Sequence, residues 1–274
     1  MIEISELHIE GAEMNRLEKL QRLNKLLLED MSEYKEQAKL FSKQEDEQFR
    51  LFRSLVNVRQ PKAIDKQFID LQDSFLKEDL AERGIVHLEE LSPIQDGLYL
   101  WQGDITRLQC GAIVNAANSG MTGCYQPCHA CIDNCIHTYA GVQLRLACSD
   151  IMKKQGYEEP TGHAKITRAY NLPCEYVLHT VGPIIYERVT QKDEELLASC
   201  YRSCLSLAQK NEIKSIAFCC ISTGVFRFPN QRAAEIAVDT VKHFKNEYIS
   251  EMKVVFNVFK DLDYEIYRKL LTEN

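Results

Sequence analysis

Five side chains able to ligate a metal ion, Cys124, Cys128, His129, Cys131 and Cys135, fall within twelve residues of this sequence. Thiolate and imidazole are the donors zinc prefers in a tetrahedral shell, which structural sites close with four protein ligands and catalytic sites leave open at one position. Spacing alone leaves three readings. Cys124, Cys128, Cys131 and Cys135 could close a structural zinc site or hold an iron–sulfur cluster. Three of the five residues could make an open site. Some of the cysteines could simply be small buried residues. All eleven cysteines lie from Cys110 onward, and the opening Met1-Ile2-Glu3-Ile4-Ser5-Glu6 has acidic residues where a secretory leader would be basic and then apolar. An odd number of cysteines without an export signal argues for reduced thiols and a cytoplasmic location rather than a disulfide framework.

Other residues of chemical interest follow short apolar runs. Gly103-Asp104-Ile105-Thr106 comes after Leu98-Tyr99-Leu100-Trp101, Asn115-Ala116-Ala117-Asn118 after Ala112-Ile113-Val114, and Ser222-Thr223-Gly224-Val225-Phe226 after Ser215-Ile216-Ala217-Phe218. Taken singly, Asp104 reads as a cap, Asn118 as a turn residue and Gly224 as a loop glycine. Asp133 precedes Asn134-Cys135-Ile136, where a carboxylate stabilises the start of a helix.

The elements that must position these residues are legible from periodicity. Tyr176-Val177-Leu178 and Lys253-Val254-Val255-Phe256 complete a set of buried strands, and residues 136–154, 191–210, 230–247 and 261–271 have helical spacing. Strands alternating with helices predict an α/β layer structure with a largely parallel sheet, which binds ligands at the carboxyl ends of its strands. Upstream, Leu17, Leu20, Leu23 and Leu27, then Phe49, Phe52, Leu55 and Val56, then Phe68, Leu71 and Phe75 lay apolar stripes on three helices. These stripes need a partner surface, and packing on the downstream domain supplies one. The predicted division is therefore a helical extension, residues 1–95, and an α/β domain, residues 96–274. A net charge of −7 disfavours nucleic acid, and no apolar run has the length of a membrane span.

Gly103-Asp104-Ile105-Thr106, Asn115-Ala116-Ala117-Asn118, Ile136-His137 with Ala140-Gly141, His179-Thr180-Val181-Gly182-Pro183 and Ser222-Thr223-Gly224-Val225-Phe226 occur in the order of the macrodomain motifs, and residues 97–271 resemble that family. The resemblance implies a three-layer fold with a mixed sheet flanked by helices, and ADP-ribose as ligand. It implies adenine at Asp104, with Ile105 also among the ligand-binding residues, the proximal ribose at Asn118, and the diphosphate with its neighbouring ribose at Ser222, Thr223, Gly224, Val225 and Phe226. Backbone N–H groups beside glycine suit phosphate oxygens.

Where ordinary macrodomains carry a glycine run, this chain has Gly123 to His137 with its cysteines, and it resembles the zinc-dependent subclass. That subclass implies one zinc per chain on a Cys-x4-His-x-Cys pattern matched by Cys124, His129 and Cys131; Cys128 and Cys135 read as small buried residues, and His137 and His179 as core or hydrogen-bonded histidines. It also implies catalysis by Asp133, with Asn118 positioning the ribose, in removal of ADP-ribose from a modified protein. Zinc would polarise water or anchor sugar and phosphate oxygens. The implied partners are a sirtuin-like ADP-ribosyltransferase and a lipoate-carrying H-like protein. The alternative is a non-catalytic ADP-ribose-binding module with a structural zinc.

Overall fold

The apolar runs line up as strands of one sheet. The computed structural model describes residues 14–248 and 251–273. It opens with helices α1 (Arg16–Asp30), α2 (Lys35–Ala38), α3 (Glu45–Val58) and α4 (Lys66–Arg83). Strands β1 (Val86–His87), β2 (Leu98–Gln102), β3 (Leu108–Gln109) and β4 (Ala112–Ala117) follow, then α5 (Ile132–Ala140), α6 (Val142–Gln155), β5 (Ala164–Arg168) and β6 (Tyr176–Val181). The chain ends with α7 (Gln191–Lys210), β7 (Ser215–Phe218), α8 (Asn230–Tyr248), β8 (Lys253–Val258) and α9 (Asp261–Thr272).

The main sheet has six strands in the order β2-β8-β7-β4-β6-β5. Every pairing is parallel except β5 with β6. The five predicted strands are present, and β5 is an addition: Ala164-Lys165-Ile166-Thr167-Arg168 carries two charges and only one buried residue, as an edge strand does. Its core residues come from β4, β6, β7 and β8, whose apolar side chains pack against α5 to α9. The fold is thus an α/β layer structure with a mixed sheet flanked by helices.

The single helix expected over residues 136–154 is two helices. Gly141 divides them at φ 95°, and a Cβ there would lie 2.5 Å from Gln72 Nε2 on α4, so close approach as well as conformation calls for glycine. The first of the two also starts earlier than expected, because the Cys131 sulfur accepts from Asn134 N–H at 3.4 Å and acts as its N-cap. Cysteine is not among the usual capping residues, so the start carried no sequence signal.

The N-terminal helices build a core of their own. Leu20, Leu23 and Leu27 of α1, Phe52 and Leu55 of α3, and Phe68 and Phe75 of α4 are buried together, joined by Val142 from the start of α6. Asn15 and Glu18 form a reciprocal capping box at the head of α1. Among their contacts with the rest of the chain, α3 lies against α5.

Candidate active site

The parallel strands deliver their polar residues to one end of the sheet. β4 carries Asn115, fully buried among apolar neighbours, and releases the chain at Asn118. Asn115 Nδ2 donates to Asp133 Oδ1 at 2.8 Å, and Asn118 Nδ2 donates to Asp133 Oδ2 at 3.3 Å. Asp133 sits in the first turn of α5, so the helix N-terminus also favours its charge. Burial nevertheless dominates and lifts the Asp133 carboxyl to about 6, while Asn115, Arg145 and Asn118 pull it down. Asn118 is itself fixed, donating to Gly123 O at 3.0 Å and accepting from Gly120 N at 3.0 Å.

Between Asn118 and Cys131 the chain has no helix or strand. Within this loop Cys124, His129 and Cys131 bring their ligand atoms within 4.8 Å of one another, with Cys124 Sγ 3.7 Å from His129 Nδ1. Bonds of about 2.0–2.3 Å in a tetrahedral shell put neighbouring donors roughly 3.5 Å apart, so small rotations would close this set on zinc, and two thiols with one imidazole are a donor set zinc accepts. The residues fit the metal. Burial, with Cys124 alongside, pushes the Cys131 thiol up to about 12, so binding a cation there would displace protons.

Cys128 and Cys135 depart from the expectation of small buried residues. Both are half-buried and engage α3: Cys128 Sγ is 3.3 Å from Ser54 Oγ, and Cys135 Sγ is 3.5 Å from the Arg53 guanidinium. Neither belongs to the ligand cluster. His137, Cys148 and His179 form a second group of ligand-type atoms, wholly buried. There, Asn115 Nδ2 lies 3.1 Å from His179 Nδ1 and must donate to it, so His179 Nε2 keeps its proton for Thr167 Oγ1 at 2.9 Å. With no lone pair left on His179, this group reads as polar core.

The other expected ligand residues lie along the same strand ends. Ser222 follows β7 with φ 65°, and its Oγ is buried without a hydrogen-bond partner. Gly182, just after β6, lets the two loops meet, since a Cβ there would fall 2.1 Å from Ser222 Oγ. Thr223 Oγ1 donates to Cys220 O, Gly224 has open space around it, Val225 is 68% exposed, and Phe226 O accepts from Ile185 N at 2.8 Å. A loop with an orphaned hydroxyl and exposed main chain suits an anion. Asp104 follows β2. Its Oδ1 accepts from Thr106 N and Oγ1, and its Oδ2 faces Arg83 of α4 at 3.1 Å. Ile105 is 1% exposed and its side chain belongs to the core, which leaves its main chain to meet a ligand.

Three residues were not singled out from the sequence. Asn115 was read only as part of its motif, although a buried amide inside an apolar strand demands a partner. Arg83 gave no signal, being remote in sequence from Asp104. Phe259, directly after β8 and 76% exposed, stands beside the Gln102–Asp104 turn, where Gln102 Nε2 donates to Phe259 O at 3.4 Å. An exposed aromatic at a strand end is suited to stacking on a base.

Comparison with known proteins accords with this geometry. The macro domain family pattern matches residues 114–237. A protein-ADP-ribose hydrolase of Treponema medium is 61% identical over 232 residues, covering 83% of this chain and 89% of that protein. A span of that length extends beyond the α/β part into the N-terminal helices. Among solved structures, the Oceanobacillus iheyensis macrodomain with ADP superposes with a TM-score of 0.60 at 37% identity, covering 67% of this chain and 94% of that one. The Trypanosoma brucei macrodomain in complex with ADP-ribose gives 0.62 at 32% identity, covering 80% and 94%.

Proposed function

Because the chain belongs to the macro domain family and shares most of its length with a protein-ADP-ribose hydrolase, we propose that it cleaves ADP-ribose from modified protein side chains, with one zinc ion held by Cys124, His129 and Cys131. Its place among such hydrolases makes it an enzyme of that class. The observation that carries the mechanism is Asp133: a buried carboxylate gripped on both oxygens by Asn115 and Asn118, two residues beyond the Cys131 thiol.

In the reaction a water oxygen bonds to the anomeric carbon of the ribose, the bond from that carbon to the protein side chain breaks, and the side chain leaves with a proton. Asp133 orients the water and accepts its proton, which then passes to the departing side chain. With burial holding the carboxyl at about 6, it is mostly ionised at neutral pH yet basic enough to act. Asn118, at the rim, positions the ribose. Ser222 Oγ and the main chain of Thr223 to Phe226 hold the diphosphate, and Asp104 accepts from the adenine amine while Phe259 covers its face. Zinc, when bound, would supply Lewis-acid stabilisation of charge at a sugar or phosphate oxygen. The reading places the enzyme in the cytoplasm, where free cysteines stay reduced. No helix among the described residues is long and apolar enough to cross a membrane. The first substrate to test is an ADP-ribosylated, lipoate-carrying H-like protein, supplied by a sirtuin-like transferase.

The test is single-turnover release of ADP-ribose from modified protein by wild type and by metal-free protein. Release by wild type well above the metal-free control is expected. Tight binding of the modified protein without release would replace the hydrolase with a reader. For the ligand set, elemental analysis should find zinc lost in Cys124→Ala, His129→Ala and Cys131→Ala and retained in Cys128→Ala.

A further inference from the structure

The ligand loop is held from outside. Its internal main-chain bonds among the described residues are few, Met121 N–H to Asn118 O at 3.0 Å and His129 N–H to Gln126 O at 3.3 Å. Side-chain contacts from or to α3, a helix outside the matched macro domain region, hold it besides, chief among them those of Arg53 and Asn57.

Arg53 donates from one guanidinium nitrogen to His129 O at 2.8 Å and to Asn134 Oδ1 at 3.0 Å. Asn134 in turn donates its side-chain amide to Gln126 O at 2.9 Å and its main-chain N–H to the Cys131 sulfur. Asn57 accepts from Cys128 N–H at 2.9 Å and donates to Thr138 Oγ1 of α5 at 3.0 Å. Cys128 lies in the left-handed region at φ 52°, immediately before His129, so this bond secures a turn that an unrestrained non-glycine residue would leave. Arg145 closes the arrangement from the α/β side. Its guanidinium donates to Val56 O, Asn57 O and Arg59 O at the end of α3 and reaches Cys124 O at 3.4 Å.

We propose that Arg53 and Asn57 are positioning residues for the Cys124, His129 and Cys131 ligand set, fixing the loop at His129 and Cys128 against the helix that carries Asp133. This rests on the zinc reading above. An ordered loop presents its three donors together, whereas a released one must be ordered at the moment of binding and holds the metal more weakly. Loss of a partner outside the ligand shell typically lowers metal affinity by about 10–100-fold.

The experiment measures zinc affinity of the full chain by competition with a chromophoric chelator, for wild type, Arg53→Gln, Arg53→Lys and Asn57→Ala. Thermal melting of the metal-free proteins and ADP-ribose affinity are read alongside. The expected result is a zinc affinity lower by roughly 10–100-fold in Arg53→Gln and Asn57→Ala, partly restored in Arg53→Lys. Cobalt-substituted Arg53→Gln should also show an altered thiolate charge-transfer band, which a loss of global stability alone would not produce. ADP-ribose affinity should stay within a few-fold. Wild-type zinc affinity in both variants overturns the positioning role and leaves the zinc reading intact, and a wild type that binds no zinc overturns both. Should Asn57→Ala fail to fold, the two Arg53 variants decide the matter, since that side chain is only half-buried.

Discussion

The two ends of the proposed site are built on different principles. At the proposed diphosphate end the sheet itself does the work: β6 and β7 stop on either side of β4, Gly182 admits the Ser222 loop, and the groups on offer are main chain and one hydroxyl. At the Cys124–Cys131 end no strand or helix shapes the loop, and its geometry comes from side chains of α3, α5 and α6. The first end draws only on the sheet and the loops that leave it. The second is specific to a chain that has α3 to brace it. Generic binding and specific chemistry are thereby separated in space, so substitutions at the two ends should fail in different ways.

The largest contrast should come from Asp133→Ala. Losing a positioned base costs about 10²-fold or more in rate, and single-turnover release from a modified protein should fall by at least that much. ADP-ribose affinity should change little, because the diphosphate end is untouched. Equal losses in rate and affinity would mean that Asp133 holds the ligand and not the transition state.

Gly182→Ala should do the reverse. The added methyl group would collide with Ser222 Oγ, and overpacking of this kind costs about 1–3 kcal/mol. That corresponds to roughly 5- to 150-fold in ADP-ribose affinity if the Ser222 loop takes the strain. Zinc content should be unchanged. Calorimetry beside elemental analysis checks both, and an intact affinity would show that the loop shifts freely.

How much of this was legible depends on where each residue finds its partner. β7 was read to the residue because Ser215 to Phe218 is a short apolar run, and the motif residues at strand ends are placed by that same run. β5 leaves no such run, because an edge strand with a single buried residue does not require alternation. The helix at Ile132 was placed late because its cap is a cysteine. Cys124, His129 and Cys131 were named from a pattern and lie together, but the pattern says nothing of Arg53 and Asn57, whose partners are more than seventy residues away. Periodic burial and common caps leave a trace in the sequence; a cysteine cap and tertiary hydrogen bonds do not.

A third test probes the polar core behind Asp133. Burial drives His179 down to about 3, so the folded protein keeps this imidazole neutral, while the unfolded chain takes up a proton near 6.5. Its stability contribution is therefore complete above about 6.5 and is lost as pH falls towards 3. Asp133 runs the other way, being raised to about 6, and gains stability on acidification until its unfolded value near 3.9 is passed. Comparing wild type with His179→Gln cancels the carboxylate: between pH 6 and 4 the variant should lose less stability per pH unit, by about 1 kcal/mol. Parallel denaturation profiles would show that His179 is protonated, or hydrated, in the folded protein.

The smallest effect is expected at the far end, where the two principles meet. Asp104 is offered to adenine by a strand end, yet its Oδ2 already faces Arg83, which stacks on Tyr139 at 3.9 Å and pairs with Asp79 at 2.7 Å. The carboxylate is 34% exposed, so a ligand amine competes with water and with a guanidinium for the same oxygen. Only a modest net gain remains, because a partly solvated hydrogen bond contributes about 0.5–1.5 kcal/mol. Asp104→Ala should weaken ADP-ribose by roughly 2- to 10-fold, with zinc content unchanged. Arg83→Ala sharpens the result: it frees Oδ2, and if Arg83 competes with the ligand, affinity should rise or hold, whereas if Arg83 holds the carboxylate in place, affinity should fall together with that of Asp104→Ala. Calorimetry with ADP-ribose and with AMP separates the cases, since AMP carries the adenine without the distal ribose. Equal affinities for wild type and Asp104→Ala with both ligands would remove Asp104 from the site and leave the adenine to Phe259 alone.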